Sequence, residues 1–270
     1  MNPSKLLEFY DDYRRRGEPL VLVTVIETRG STYSKAGAHM LVDAEGVFRG
    51  MLSGGCLEGD LAERARDVLA SGDPQTVSYN LAEDDELWGM GVGCDGLMRV
   101  HLQPLRPDSA YVPFAEVAEV LRGGAAREVR IPLAGDDLGE LVYVAKPPPR
   151  LLVLGGGLDA EPVVRLAVLM GWRCALADHR PAYIEKGNFD GAESVNCVPA
   201  AELAEMLDLD HFDLAIVMSH HLESDRAYLR QLASSRVGYI GLLGPAQRRQ
   251  RLLTDLGELA GNLEPRLHGP

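Results

Sequence analysis

Cys56 lies in Ser53-Gly54-Gly55-Cys56-Leu57-Glu58-Gly59, between a strand-like run over 46–52 and a helix-like run over 57–69. Glycines at such a turn let the backbone approach a ligand without side-chain obstruction. A thiol just before a helix N-terminus has its thiolate favoured by the helix dipole, and the thiolate is the form that attacks or ligates. Gly91-Val92-Gly93-Cys94-Asp95-Gly96 repeats the setting. Two glycine-flanked thiols point to sulfur chemistry or to the holding of a sulfur-containing ligand. The alternative is that each cysteine is a small apolar residue filling a tight turn.

A second constellation falls in the C-terminal half. Gly155-Gly156-Gly157-Leu158-Asp159-Ala160 fits G-x-G-x-x-A between an apolar strand and a helix, and Asp178 follows 21 residues after Gly157, where a ribose-binding acid belongs. Against a dinucleotide, Asp159 and Glu161 both fall in the first helical turn, where a carboxylate repels a pyrophosphate. Asp159 is also placed to cap the free N–H groups itself. The turn therefore reads as a weak nucleotide site, a site for a different ligand, or a structural turn. His220 follows the strand-like run 214–218, at the carboxyl end where open α/β sheets bind ligands, with Asp225 five residues on. A His with an acid nearby suits proton transfer, whereas Ser224 or Asp225 alone makes an ordinary helix cap. His221 and His39 are weaker candidates, and Arg248, Arg249 and Arg251 read as a solvated helix face or a dipole complement.

The elements that position these residues follow from periodicity. A helix over 4–16 with Ser4 as N-cap precedes a wholly apolar strand, Leu20 to Ile26. A long polar loop from Thr28 to Gly37 comes next, the kind of segment that carries function more often than packing. A hairpin over 38–52, the helix after Cys56, and strands over 76–81 and 97–102 follow, with a break at Gln103-Pro104. A short helix over 114–122 and strands over 128–133 and 140–145 either complete the first domain or bridge to the second. Lys146-Pro147-Pro148-Pro149-Arg150 reads as a semi-rigid linker. Beyond it, strand and helix alternate to the end, which implies right-handed parallel crossovers in a doubly wound sheet.

Bulk composition narrows the function classes. The chain has 270 residues, 46% of them hydrophobic and 25% charged, a globular mix. Its net charge of −13 and its lack of a basic block argue against nucleic acid and anionic membranes as partners. Cys56, Cys94, Cys174 and Cys197 are widely spaced with no C-x-x-C pair, so neither a disulfide framework nor a zinc site is expected and no metal ligands are assigned. The charged N-terminus is no signal peptide, no apolar run is long enough for a membrane span, and a cytoplasmic location is expected.

Taken together, the motifs resemble the xanthine dehydrogenase accessory factor (XdhC/CoxI) family. The matching segments are Gly30-Ser31-Thr32 through Gly37-Ala38-His39-Met40, the Cys56 turn, Gly93-Cys94-Asp95-Gly96 and Leu154-Gly155-Gly156-Gly157. Further matches are Gly171-Trp172, Asp178-His179-Arg180-Pro181, Met218-Ser219-His220 with Asp225, and Tyr239 to Pro245 with Arg248-Arg249. The resemblance implies a mixed α+β family-specific domain over 1–146 and a Rossmann-like domain over 150–270. It implies a maturation factor that binds molybdenum cofactor (molybdopterin), assists its sulfuration with a cysteine desulfurase, and inserts it into an apo molybdenum hydroxylase. Leu158-Asp159 stands where the family's usual turn has His-Val, which marks a subgroup. Asp95 replaces a second glycine, and family members commonly run past Pro270 into a glycine-rich loop and another helix, so the second domain reads as short.

On this reading the expected acting groups are Cys56 and His220. Ser31, Gly54, Gly55, Cys56, Glu58, Gly93, Cys94, Gly155, Gly157, Asp159 and Asp178 would hold the ligand. Gly54 and Gly55 amides suit a phosphate, Asp159, Glu58 or Asp178 suit a pterin edge, and Cys56 suits soft-metal or persulfide chemistry. The junction of the two domains is the expected ligand site, and a homodimer is expected because one 270-residue chain must present both a ligand cleft and a client surface. Two other functions stay open: an NAD(P)-dependent oxidoreductase using Asp178 and His220, and an adaptor that only bridges two proteins.

Overall fold

A computed structural model describes residues 3–81, 96–133 and 139–270. Gly93 and Cys94 lie outside the described residues. The chain divides into two compact units, Met1–Pro147 and Pro148–Pro270.

The first unit is built on a five-stranded antiparallel sheet ordered β3-β2-β1-β5-β4. Its strands are β1 (Leu20–Arg29), β2 (His39–Val42), β3 (Phe48–Gly50), β4 (Gln75–Asn80) and β5 (Leu97–Leu105). β1 is central and both its faces are covered, which explains a run from Leu20 to Ile26 that is apolar but for Thr24. Val21, Val23 and Val25 meet Leu61, Ala65 and Val68 of α2 (Glu58–Ser71). Leu20 and Leu22 point the other way, into a core with Tyr10 of α1 (Pro3–Arg16) and Phe114 of α3 (Phe114–Leu121). The hairpin of β6 (Arg127–Pro132) and β7 (Glu140–Ala145) completes this unit, burying Val129, Ile131 and Ala145 in the same core.

Two details differ from expectation. Ser4 is inside the first turn of α1, because Pro3, lacking an N–H to satisfy, begins the helix. β5 runs through Pro104 to Leu105, since its pairing with β4 stops at Leu102 and the proline's missing donor faces no neighbour there.

The second unit is a six-stranded, wholly parallel sheet of β8 (Arg150–Leu154), β9 (Arg173–Asp178), β10 (Ser194–Cys197), β11 (Leu214–Val217), β12 (Tyr239–Leu242) and β13 (Leu267–His268). Helices α4 (Ala160–Leu169), α5 (Pro181–Lys186), α6 (Leu203–Met206), α7 (Leu222–Leu232), α8 (Ala246–Leu256) and α9 (Ala260–Leu263) connect them. The order β10-β9-β8-β11-β12-β13 is the doubly wound arrangement, reversing between β8 and β11. The glycine turn after β8 and His220 after β11 both lie at that switch point. Two apolar clusters cover its faces, one around Leu152, Val217 and Tyr228, the other around Val153, Val164 and Leu176. No helix among the described residues is long and apolar enough to cross a membrane.

Candidate functional site

The Cys56 turn is organised by one carboxylate. Leu57 precedes α2 without any side-chain cap, and Glu58, the first helical residue, folds back instead. Its Oε1 accepts from the amides of Leu52 and Ser53, both at 2.8 Å, and its Oε2 accepts from the Gly55 amide at 2.9 Å and Ser53 Oγ at 2.5 Å. Ser53 Oγ in turn accepts from Leu57 N–H at 2.7 Å. Burial pushes the Glu58 carboxyl up, but the hydrogen bonds from Ser53 and Leu52 outweigh it and hold it below its ordinary range. Glu58, expected to meet the ligand, is 2% exposed and engaged within its own turn. The Gly55 amide, expected to face a phosphate, is engaged with it.

What this frame presents outward is backbone and sulfur. Gly54 and Gly55 are exposed, Cys56 is a half-buried free thiol, and the amides of Gly54 and Cys56 have no partner among the described residues. Gly55 has φ +115, and a Cβ built on it would meet nothing within 4 Å. Glycine is thus required there by conformation while the space above it is open.

Beside this turn is a cavity of about 660 Å³ lined by Tyr33, Ser34, Lys35, Ala38, His39 and Met51. The Tyr33 ring lies 3.4 Å from where a Cβ on Gly54 would be, and Ser34 Oγ donates to the Met51 carbonyl at 3.4 Å. His39 closes one wall: its Nδ1 pairs with Thr24 Oγ1 at 3.1 Å and its Nε2 with the Tyr143 hydroxyl at 2.5 Å. Burial pushes its pKa down to about 4, so the ring is neutral and satisfied at both nitrogens whichever carries the proton. Gly96, at the foot of the Cys94 loop, has no room for a Cβ: it would lie 2.8 Å from the Arg29 carbonyl and overlap that of Ser31. Gly96 thus packs against Ser31, and Tyr33, two residues further on, packs against Gly54. The cavity wall itself was not foreseen. Tyr33 and Lys35 are inside the polar loop singled out above, Met51 is hidden in a strand-like run, and Tyr143 is 104 positions from His39, with no local spacing to betray it.

The glycine turn of the second unit is filled by protein at Gly155, while Gly156 and Leu158 border a cavity of about 260 Å³ lined also by Glu161, Ala182, Tyr183 and Lys186. Gly155 has φ +125, and a Cβ there would lie 2.6 Å from the Met218 carbonyl group and the Ser219 nitrogen. Gly155 to Gly157 are buried. Asp178 is 0% exposed and receives four hydrogen bonds: from Gly156 N–H at 2.7 Å, Arg180 N–H at 2.8 Å, Arg180 Nε at 2.9 Å and Arg180 Nη2 at 2.6 Å. Burial raises the Asp178 carboxyl, yet Arg180 and the Gly156 amide bring it below its ordinary range. A ribose would have to displace that bidentate guanidinium, which also stacks 3.7 Å over the Tyr183 ring.

Asp159 does not cap α4. Its Oδ2 pairs instead with His220 Nε2 at 2.7 Å, and His220 holds a left-handed φ of 58°. The acid of His220 is therefore Asp159. Asp225 is buried at the start of α7, where it accepts from Ser219 Oγ at 2.5 Å and pairs with Arg248 at 2.6 Å. That ion pair also takes Arg248 off the solvated face expected for it. The cap of α7 is His221, whose Nδ1 accepts from Ser224 N–H.

The molecule thus has a doubly wound Rossmann-type unit whose turn acid, Asp178, is held by Arg180, and an antiparallel unit bearing an open, glycine-flanked thiol. The profile of the XdhC and CoxI family matches residues 13–80, and that of the XdhC Rossmann domain matches residues 151–270. A Bacillus subtilis protein described as a probable xanthine dehydrogenase subunit is 31% identical over 88% of this chain and 83% of its own length. The Escherichia coli molybdenum cofactor insertion chaperone PaoD is 24% identical over 96% of this chain and 77% of its own. A Bacillus halodurans crystal structure described as a xanthine dehydrogenase superposes with a TM-score of 0.80 at 29% identity, covering 100% of this chain and 88% of the other. The chain belongs to the XdhC and CoxI family.

Proposed function

We propose that this protein is a maturation factor for a xanthine dehydrogenase-like molybdenum hydroxylase: it binds molybdenum cofactor as cargo, assists its sulfuration, and delivers it to the apoenzyme. Family membership and the likeness to a chaperone described as inserting molybdenum cofactor support the role. The observation that carries the site is the open Cys56 turn: its thiol is half-buried, its Gly54 and Cys56 amides have no partner among the described residues, and Gly54 borders the Tyr33 wall of a cavity. Thiolate sulfur suits a soft metal centre, and a cysteine can also receive a persulfide sulfur from a cysteine desulfurase. The Gly54 and Cys56 amides suit the cargo's anionic groups.

Anaerobically purified protein should take up molybdenum cofactor, and Cys56→Ala should weaken that uptake and the activation of a sulfur-dependent client. Full uptake and full client activation in that variant would remove Cys56 from the mechanism. The oxidoreductase reading requires Asp178 to exchange Arg180 for a ribose. Calorimetric titration with NAD and NADP separates the two readings: saturable binding that weakens in Asp178→Asn would restore the dinucleotide role.

A further inference from the structure

We infer that the cavity beside the Cys56 turn seats a planar heteroaromatic ring carrying an anionic arm; this rests on the proposed carrier role and names the part of the cargo that the first unit grips. Tyr33 and Met51 flank the cavity and leave 63% and 42% of their surface exposed, although both are large side chains with apolar surface to bury. An aromatic face and a flexible thioether together suit a flat, polarisable ring. The cavity volume of about 660 Å³ is within the range of small-molecule sites and exceeds what a bicyclic ring needs.

The charge in the cavity is specific. His39 is 8% exposed, neutral, and tied at both nitrogens, so it shapes the wall without adding charge. Lys35 is different. Its ammonium reaches Thr32 Oγ1 at 3.5 Å, and among the described residues no carboxylate lies within ion-pair distance of it. In a chain with 40 acidic and 27 basic residues, a cation left unpaired at a cavity edge selects an anion there. The Tyr33 ring is also the wall shared with Gly54, so a ring stacked on it borders the exposed backbone that leads to Cys56.

The test is a fluorescence titration of the full chain with pterin-6-carboxylate, beside unsubstituted pterin, which lacks the carboxylate. Wild-type protein should bind both saturably at one site. Tyr33→Ala should weaken both about ten-fold or more, while Tyr33→Phe, which keeps the ring, should stay within about two-fold. Lys35→Ala should weaken pterin-6-carboxylate about five- to ten-fold and leave unsubstituted pterin within about two-fold. No saturable binding to wild type, or affinities unchanged in Tyr33→Ala and Lys35→Ala, would overturn the inference. Unimpaired uptake of molybdenum cofactor by Tyr33→Ala would overturn it too, leaving the carrier role intact. Pterin binding through Tyr33 and Lys35 in a protein that never takes up the cofactor would uphold the ring site and remove the carrier role.

Discussion

Two glycine turns lead from a strand into a helix in this molecule, and a buried carboxylate organises each. Around Cys56 the carboxylate comes from the helix itself: Glu58 collects the turn's inner donors and the glycines are left exposed. Around Gly155 it comes from the next strand: Asp178 takes the Gly156 amide, Arg180 neutralises it, and Gly155 is packed under the backbone of Met218 and Ser219. The first turn uses glycine to keep space open above the backbone, and the second uses it because the protein itself fills that space. A glycine motif therefore marks close approach without saying whether a ligand or another strand does the approaching.

The sharpest way to break this contrast is Arg180→Ala, which leaves Asp178 as an unpaired buried charge. Urea unfolding should show a loss of about 3–5 kcal/mol, with part of it restored by adding Asp178→Asn. A loss under about 1 kcal/mol would mean the second turn is not held by that pair. Glu58→Ala should remove about 2–4 kcal/mol, since four donors lose their acceptor. The sign of its pH dependence follows from its lowered pKa. Its contribution is present above the unfolded carboxyl value near ~4.3 and is lost as pH falls through the folded one, so Glu58→Gln should flatten the acid limb of the stability curve.

Gly155→Ala should cost roughly 1 kcal/mol or more beyond Gly55→Ala in thermal unfolding. Both force a side chain into a positive φ, but only the first drives it into backbone. Equal costs would erase the distinction between the filled space at Gly155 and the open space at Gly55. The smallest effect belongs to His220→Gly. The exposed pair with Asp159 contributes about 0–1 kcal/mol, and glycine relieves a left-handed residue by a similar amount, so stability should stay within about 1 kcal/mol of wild type. A larger loss would give His220 a structural role.

Alternating apolar runs and helical periods are enough to draw the C-terminal parallel sheet, and the apolar stretch from Leu20 is enough to place a central strand. Short elements escape: α5 spans 6 residues and β13 only 2, too few for a period to register. At the site, residue type and spacing pick out the Cys56 turn, whereas side-chain direction does not follow from them. Glu58 and Asp178 have the chemistry of ligand acceptors, yet both point into the fold, because free backbone and guanidinium donors nearby claim them first. The partner of His220 is 61 positions earlier in sequence and belongs to a different turn, so proximity along the chain favours Asp225 instead.

If the cargo binds where Cys56 stands open, the thiol must change its reactivity on loading. Quantitative thiol alkylation, read peptide by peptide in the absence and presence of molybdenum cofactor, tests this with controls inside the same chain. Cys197 is exposed and should label either way, while Cys174, buried and with its thiol pushed up to about 11, should resist. Cys56 is expected to label in the unloaded protein and to be protected when the cofactor is bound. A Cys56 that never labels, or that labels at the same rate with the cofactor present, would contradict its place in the cargo site.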